Sequence, residues 1–320
     1  MMNDVKLAET FFEDIQALKS AIHERIVGQD LTIELMLNAL FCQGHCLFVG
    51  VPGLAKTRLV HTISSLVALD FKRIQFTPDL MPSDIIGSEI LDANRNFVFN
   101  RGPVFTNLVL ADEINRTPPK TQSALLEAMQ EETVSVSGTS FELPNPFLVF
   151  ATQNPIEQEG TYPLPEAQLD RFLFMIKLEY PSFQDEMNVV RMTEQNREDD
   201  DIKPLLTISS LLAYQDLIRR VPVSDHVVEA AVTLVHKTRP DNDLATELTK
   251  EFITWGAGPR ASQNLILAAK CRSLMHGRYS PNVEDVREVA VAVLQHRIIL
   301  SYKAESKGLN SAEIIKMLIA

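Results

Sequence analysis

The stretch from Cys46 to about Leu69 constrains the fold more than any other. A short apolar run, Cys46 to Val49, leads into Gly50-Val-Pro-Gly-Leu-Ala-Lys-Thr57, and a helical pattern follows from Lys56. That order reads as strand, glycine loop, helix. Glycines let the backbone turn tightly, so that successive N–H groups converge on one point; a helix N-terminus adds a favourable dipole and a lysine adds charge. The spacing is that of a loop cradling nucleotide phosphates, with Lys56 on the β- and γ-phosphates and the Thr57 hydroxyl on Mg²⁺. Gly50, Val51, Pro52, Gly53, Leu54, Ala55, Lys56, Thr57 and Arg58 are the candidate binding residues. The competing reading is an ordinary turn with a solvated Lys56, and the strand before and helix after it argue against that. Ala55 stands where the spacing usually carries its last glycine, and a methyl group fits there if φ is negative.

Two further apolar runs end in polar groups suited to the same chemistry. Asn107-Leu-Val-Leu-Ala-Asp112-Glu113 ends in two carboxylates, one to hold Mg²⁺ through water and the next to polarise the attacking water. Asp112 is assigned to the metal and Glu113 to the base; alternatively both cap the helix near Thr117-Pro-Pro. The run from Phe147 ends in Ala151-Thr-Gln-Asn154-Pro155, which sets an amide at the carboxyl edge of a sheet, where open α/β folds bind ligands. Asn154 either orients water against the γ-phosphate or is a turn residue before proline. In Leu164-Pro-Glu-Ala-Gln-Leu-Asp170-Arg171-Phe172 the guanidinium either stabilises charge on a transferring phosphoryl group or pairs with Asp170 at the surface.

At 320 residues the chain suggests two domains. Two helical stretches, Leu7 to Ile26 and Asp30 to Leu40, precede the first strand, and apolar runs at Arg73 to Phe76, Leu108 to Ala111 and Phe147 to Thr152 read as parallel strands with crossovers. After Tyr180-Pro-Ser182 no comparable strand appears. The patterns at Ile208 to Arg220, Asp225 to Arg239, Ser262 to His276 and Val283 to Leu300 are helical. The expected division is an α/β unit over 1–182 and a helical unit over 183–320. Glu198 to Asp201, closed by Pro204, reads as a solvated loop.

Thirty Lys and Arg against 42 Asp and Glu give a net charge of −12, which disfavours non-specific attraction to DNA or anionic membranes. The N-terminus lacks a signal pattern and the apolar stretches are too short to span a bilayer, so a cytoplasmic protein is expected. Cys42 and Cys46 lack the second ligand pair of a zinc site and read as small buried thiols. His45 reads as packed or solvated rather than catalytic.

Together these motifs resemble the AAA+ superfamily and, within it, the MoxR family. Gly-Val-Pro-Gly-Leu-Ala-Lys-Thr, Leu-Ala-Asp-Glu-Ile-Asn-Arg, Ala-Thr-Gln-Asn-Pro, Glu-Ala-Gln-Leu-Asp-Arg-Phe and Gly-Pro-Arg-Ala look like that family's signatures and, with Ile26-Val-Gly-Gln29, occur in family order between residues 26 and 263. The resemblance implies a P-loop core with a central parallel sheet, followed by a smaller all-α lid. It implies that Val27 and Gly28 lie against the adenine, that Asn154 is sensor 1, that Arg260 is the lid's sensor 2, and that Arg171 is an arginine finger acting on a neighbour's ATP. It leaves open whether Arg260 serves its own site or the neighbour's. Residues 84–101 resemble the helix-2 insertion and 134–143 the hairpin before sensor 1. One departure is Gly258, where relatives often carry serine; it leaves Arg260 less firmly held. The implied protein is a hexameric, Mg²⁺-dependent ATPase that remodels a protein client, with von Willebrand factor A domain partners. A DNA motor or loader and a nucleotide-dependent assembly switch are the competing functions.

Overall fold

A computed structural model describes residues 4–51, 53–93, 95–155, 160–193 and 202–320. Pro52 and the acidic run 198–201 lie outside the described residues. The chain opens with α1 (Asp4–His23) and α2 (Asp30–Phe41). Ala8, Phe11, Ile15, Leu18 and Ile22 recur every three or four residues along α1 and are all buried, the stripe that packs a helix onto a core.

Five strands, β1 (Cys46–Val49), β2 (Phe71–Gln75), β5 (Leu108–Asp112), β8 (Leu148–Gln153) and β9 (Phe174–Lys177), form one parallel sheet in the order β2-β5-β8-β1-β9. Helix α3 (Lys56–Leu66) links β1 to β2. Between β2 and β5 come α4 (Pro82–Ile86) and the antiparallel pair β3 (Gly87–Leu91) and β4 (Phe97–Arg101). Between β5 and β8 come α5 (Pro119–Glu131) and a second antiparallel pair, β6 (Thr133–Val136) and β7 (Thr139–Glu142). Ser137 and Gly138 turn that second hairpin with positive φ, the conformation a two-residue turn needs. Phe99 stacks on Phe141 at 4.4 Å and the Ser137 hydroxyl donates to Glu89 at 2.7 Å, so the two hairpins are joined.

Strand residues alternate between two cores. Leu108, Leu110, Leu148 and Phe150 face α1, α2, α3 and the second half of the chain, whereas Val109, Ala111, Val149 and Ala151 face α5. Strand β9, which the sequence reading passed over, completes the sheet beside β1. His45, just before β1, is packed: its Nδ1 accepts from the Val149 N–H at 3.0 Å and its Nε2 lies 3.2 Å from the Met129 carbonyl. Burial pushes its pKa down to about 4, so it bridges β8 and α5 as a neutral imidazole. All three cysteines are free and buried.

A short α6 (Glu166–Leu169) precedes β9, and α7 (Phe183–Thr193) follows it. The second half contains α8 (Ile208–Arg220), α9 (Asp225–Lys237), α10 (Glu247–Phe252), β10 (Ile253–Trp255), α11 (Pro259–Met275), α12 (Val283–Leu294), β11 (Ile299–Leu300), α13 (Tyr302–Ser306) and α14 (Ser311–Ile319). The helical expectation holds with one addition: β10 and β11 pair antiparallel, so the pattern from Val283 stops being a helix at Leu294. Helices α1 and α2 pack against α8 and α11, with Asn38 Nδ2 donating to the Ala268 carbonyl at 3.0 Å and Gln215 Nε2 to the Leu40 carbonyl at 2.9 Å. Among the described residues no helix is long and apolar enough to cross a membrane.

Three consecutive residues after α12 pin the second half to the strand that carries the site's far edge. Gln295 donates to the Met175 carbonyl at 2.6 Å, and His296 Nε2 lies 3.1 Å from the Phe172 carbonyl. Arg297, its side chain 2% exposed, donates to Asp170 Oδ1 at 2.7 Å and to the carbonyls of Asp170, Phe172, Leu173 and Val293. Five acceptors exhaust its donors, which is how a guanidinium is tolerated at that depth. Arg297→Leu should lower unfolding free energy by about 3–5 kcal/mol, because Asp170 keeps its charge and loses its buried partner. A denaturant titration checks this, and an unchanged midpoint would mean that the clamp is incidental.

Candidate nucleotide site

The phosphate-loop segment leaves the carboxyl end of β1, where Val49 pairs with Gln153 of β8 and the Gly50 N–H donates to the Gln153 carbonyl at 3.2 Å. Gly50 needs its missing side chain for room: a Cβ there would lie 2.9 Å from the Leu178 Cβ. Gly53 needs it for conformation, with φ at +88°. Leu54 is buried and anchors the loop, Val51 packs against the core, and Arg58 is exposed in the first turn of α3.

Ala55 does not take the negative φ that would accommodate its methyl group. It is left-handed, φ 54°, directly before α3, and an L-residue there costs about 1 kcal/mol more than glycine. The turn into the helix requires that conformation, so the alanine carries strain that a glycine would not. Lys56 folds back and donates to the Gly50 carbonyl at 3.0 Å. Burial lowers its pKa, and the negative charges of Asp112 and Glu113 pull the other way.

Register brings the acid pair to the same edge. Asp112 ends β5 opposite Gln75 of β2, and Ala111 pairs with Ala151 of β8. Thr152 is the hinge of this arrangement: its hydroxyl donates to Asp112 Oδ1 at 2.6 Å and accepts from the Glu113 N–H at 2.8 Å. Glu113 itself is left-handed, φ 58°, and accepts from Gln75 Nε2 at 2.9 Å and from Arg116 Nη1 at 3.0 Å. Asp112 Oδ2 takes Arg73 Nη2 at 2.6 Å and Nε at 3.1 Å. Neither acid caps α5, whose first turn is led by Pro118 with no side-chain cap, so the capping alternative is removed. Asn154 follows β8 on the same edge, 6% exposed.

The candidate base-contacting segment also reaches this edge. Gly28 is left-handed and a Cβ there would lie 3.1 Å from the Asp185 carboxyl carbon, while Gln29 Nε2 donates to the Leu54 carbonyl at 3.3 Å. Val27 and Gln29 line a cavity of about 830 Å³ that continues to β9, α12 and α14.

Arg171 and Arg260 stand elsewhere. Arg171 lies three residues before β9, where the Leu173 N–H donates to the His45 carbonyl, at the amino end of the sheet. β9 and β1 run parallel, so roughly 13 Å of strand separates that end from the phosphate-loop segment. Arg171 donates to the Leu126 carbonyl of α5. The expected Asp170–Arg171 pair gives way to another: Asp170 is held by Arg297 at 2.7 Å and by Arg260 at 3.5 Å. Arg260, in the first turn of α11, therefore shares the amino edge with Arg171. Sequence reasoning missed Thr152, Arg73, Gln75, Arg116 and Arg297; the alternation along β2, which puts Arg73 and Gln75 on one side, was the available signal for two of them.

Hard oxygen donors at Thr57 and Asp112 suit Mg²⁺, which keeps several waters and is shared with substrate phosphates. Among the described residues no group of three or more His, Cys, Asp or Glu could hold a metal ion.

A parallel sheet with a phosphate loop, an acid pair and a polar residue on adjacent strand ends, followed by a helical lid, defines a P-loop ATPase of the AAA+ class. The family model described as "ATPase family associated with various cellular activities (AAA)" matches residues 45–174, and the AAA lid domain model matches residues 245–318. The chain is 44% identical to the chaperone MoxR1 of Mycobacterium tuberculosis over 98% of its own length and 83% of that protein's. It is 29% identical to the MoxR protein of Methylorubrum extorquens over 93% and 90%. A solved structure from Cytophaga hutchinsonii superposes with a TM-score of 0.92 at 41% identity, covering 98% of this chain and 96% of that one. The chain belongs to the MoxR family of AAA+ ATPases.

Thr152→Val preserves shape and removes the hydroxyl between the acids. If Asp112 and Glu113 act together in hydrolysis, it should lower ATP turnover by about 10–100-fold with little change in far-UV circular dichroism, because the hydroxyl that orients both is lost. Wild-type turnover in that variant would show that the acids orient themselves.

Proposed function

We propose that this chain is a Mg²⁺-dependent ATP hydrolase whose working site is completed by a second copy, and that turnover drives remodelling of a protein client. The observation that carries the reading is the separation of the charged groups. Lys56, Asp112 and Glu113 sit at the carboxyl edge of the sheet, and Arg171 and Arg260 at the amino edge. A guanidinium acts on a phosphoryl group only within contact distance, so two arginines at the opposite edge from their own loop suit a neighbour's nucleotide. Heterologous contacts of that kind close into rings, and a hexamer is the ring we infer.

In this reading the purine lies against Val27 and Gly28, the loop N–H groups and Lys56 hold the β- and γ-phosphates, and Thr57 and Asp112 would hold Mg²⁺, which would supply positive charge against the phosphate oxygens. Glu113 accepts a proton from the attacking water as oxygen bonds to the γ-phosphorus and the bond to the β–γ bridging oxygen breaks. Asn154 orients that water. Arg171 and Arg260 of one copy meet the charge that develops on the next. The net charge of −12 weighs against a DNA motor, and the complete set of acid, base and arginines against a pure switch. A partner bearing a von Willebrand factor A domain is the client-side component we infer from family likeness.

Steady-state turnover per subunit should rise with protein concentration. Arg171→Ala should lower turnover by about a thousandfold or more at nearly unchanged ATP affinity, and should poison wild type on mixing. A flat profile insensitive to mixing would mean a self-contained site. Glu113→Gln should bind ATP and hold it uncleaved, because the base is lost while the phosphate contacts remain. Rapid product formation by that variant, followed by radiolabelled phosphate release, would put the base elsewhere.

A further inference from the structure

Arg73 lies on β2 opposite Leu110, and Gln75 lies opposite Asp112, so both side chains reach the end of β5 from the sheet's edge strand. Arg73 places two N–H groups on the same oxygen, Asp112 Oδ2, at 2.6 and 3.1 Å, and its Nη2 also donates to Gln75 Oε1 at 2.7 Å. Gln75 then donates to Glu113 at 2.9 Å, which closes a path from one acid to the other. The second oxygen, Oδ1, is taken by the Thr152 hydroxyl at 2.6 Å.

The two oxygens are not equally replaceable. Thr152 is fully buried in the central strand and cannot withdraw, whereas the Arg73 side chain is 48% exposed and can swing into solvent without opening the core. A carboxylate offers about four acceptor positions, and three are filled. A cation approaching Asp112 with its waters therefore meets a guanidinium already seated on Oδ2.

We propose that Arg73 is a positioning residue for the hydrolytic site: it holds the Asp112 carboxylate while no metal is there and yields that oxygen when Mg²⁺ arrives, and so sets how strongly nucleotide binding depends on the metal. This rests on the assignment of Asp112 to Mg²⁺ made above. The sign follows from charge. With Arg73 seated, a metal-free nucleotide does not face a bare carboxylate, so its binding is eased; a metal-bound nucleotide must displace or repel one positive charge, so its binding is weakened. Removing the charge moves the two affinities in opposite directions.

The test is binding of a fluorescent ADP analogue with excess Mg²⁺ and with EDTA, in wild type, Arg73→Gln, Arg73→Lys and Gln75→Leu, with thermal unfolding of each as a folding control. The ratio of the two dissociation constants should widen on the order of tenfold in Arg73→Gln and stay near wild type in Arg73→Lys, which keeps the charge. Gln75→Leu, which removes the acceptor that steadies the guanidinium, should widen it less, and it carries the test if Arg73→Gln does not fold. An unchanged ratio in folded Arg73→Gln, or equal weakening with and without metal, overturns the proposal. Failure of wild type to bind the analogue at all would instead overturn the hydrolase reading, so the two failures are distinct.

Discussion

Strand β8 pairs with β5 on one side and β1 on the other, and the site depends on that double pairing. Phe150 and Ala151 are matched to β1 and to β5 at once, so the end of each neighbour is set relative to the same backbone. Its residues from Leu148 to Thr152 are fully buried, as expected of a parallel strand covered on both faces. A one-residue slip would turn every side chain to the opposite core and separate the glycine loop from the acids. Thr152 is the polar group that this strand carries inward. A buried hydroxyl left unpaired is costly, and both of its hydrogen bonds go to the acid pair, so satisfying the core and orienting the site are one requirement.

Among the described residues, three of the eight non-glycine residues with positive φ stand at this edge. Gln29, Ala55 and Glu113 are left-handed without being glycine, and they stand where the chain enters α2, enters α3 and leaves β5. Each costs about 1 kcal/mol, and such conformations persist where surrounding packing over-determines them. Two large cores meeting on this sheet supply that packing. The polar groups at the edge are satisfied internally: Lys56 by its own loop, Asp112 by Arg73, Glu113 by Gln75 and Arg116.

The parts legible from sequence are those in which cause and effect lie close along the chain. Cys46–Val49 is a strand with the boundaries its apolar run gives, the Ser137-Gly138 hairpin forms where its turn chemistry sits, and Ile208–Arg220 is a helix end to end. The residues that escaped notice act across distance. Thr152 looks like any strand threonine until register sets it beside Asp112, forty residues earlier. Asp170 sits next to an arginine in sequence and chooses another 127 residues away, because Arg297 reaches it from a buried position. Strand β9 was missed because its pattern, Phe-Met-Ile-Lys, runs unbroken from Phe172-Leu173 and only its hydrogen bonds to β1 distinguish it. For Ala55, residue type alone does not reveal the sign of φ; the geometry of the turn into α3 decides it.

Asp170 also bears on how the lid and the sheet work together. One carboxylate is held by Arg297, from the residues that follow α12, and by Arg260, from the first turn of α11. Arg171 is its neighbour in sequence and is fixed by α5. A rotation of α11 and α12 relative to the sheet would pull on Asp170 from both sides, and Gln295 and His296 would transmit the same pull to Met175 and Phe172. The buried contact to Arg297 is the stiffer of the two, since Arg260 is half exposed and 3.5 Å away. Arg297 therefore couples the residues after α12 to the segment that bears Arg171 more firmly than Arg260 couples α11 to it. The geometry thus separates a firmly held guanidinium, Arg297, from a loosely held one, Arg260, on a single carboxylate.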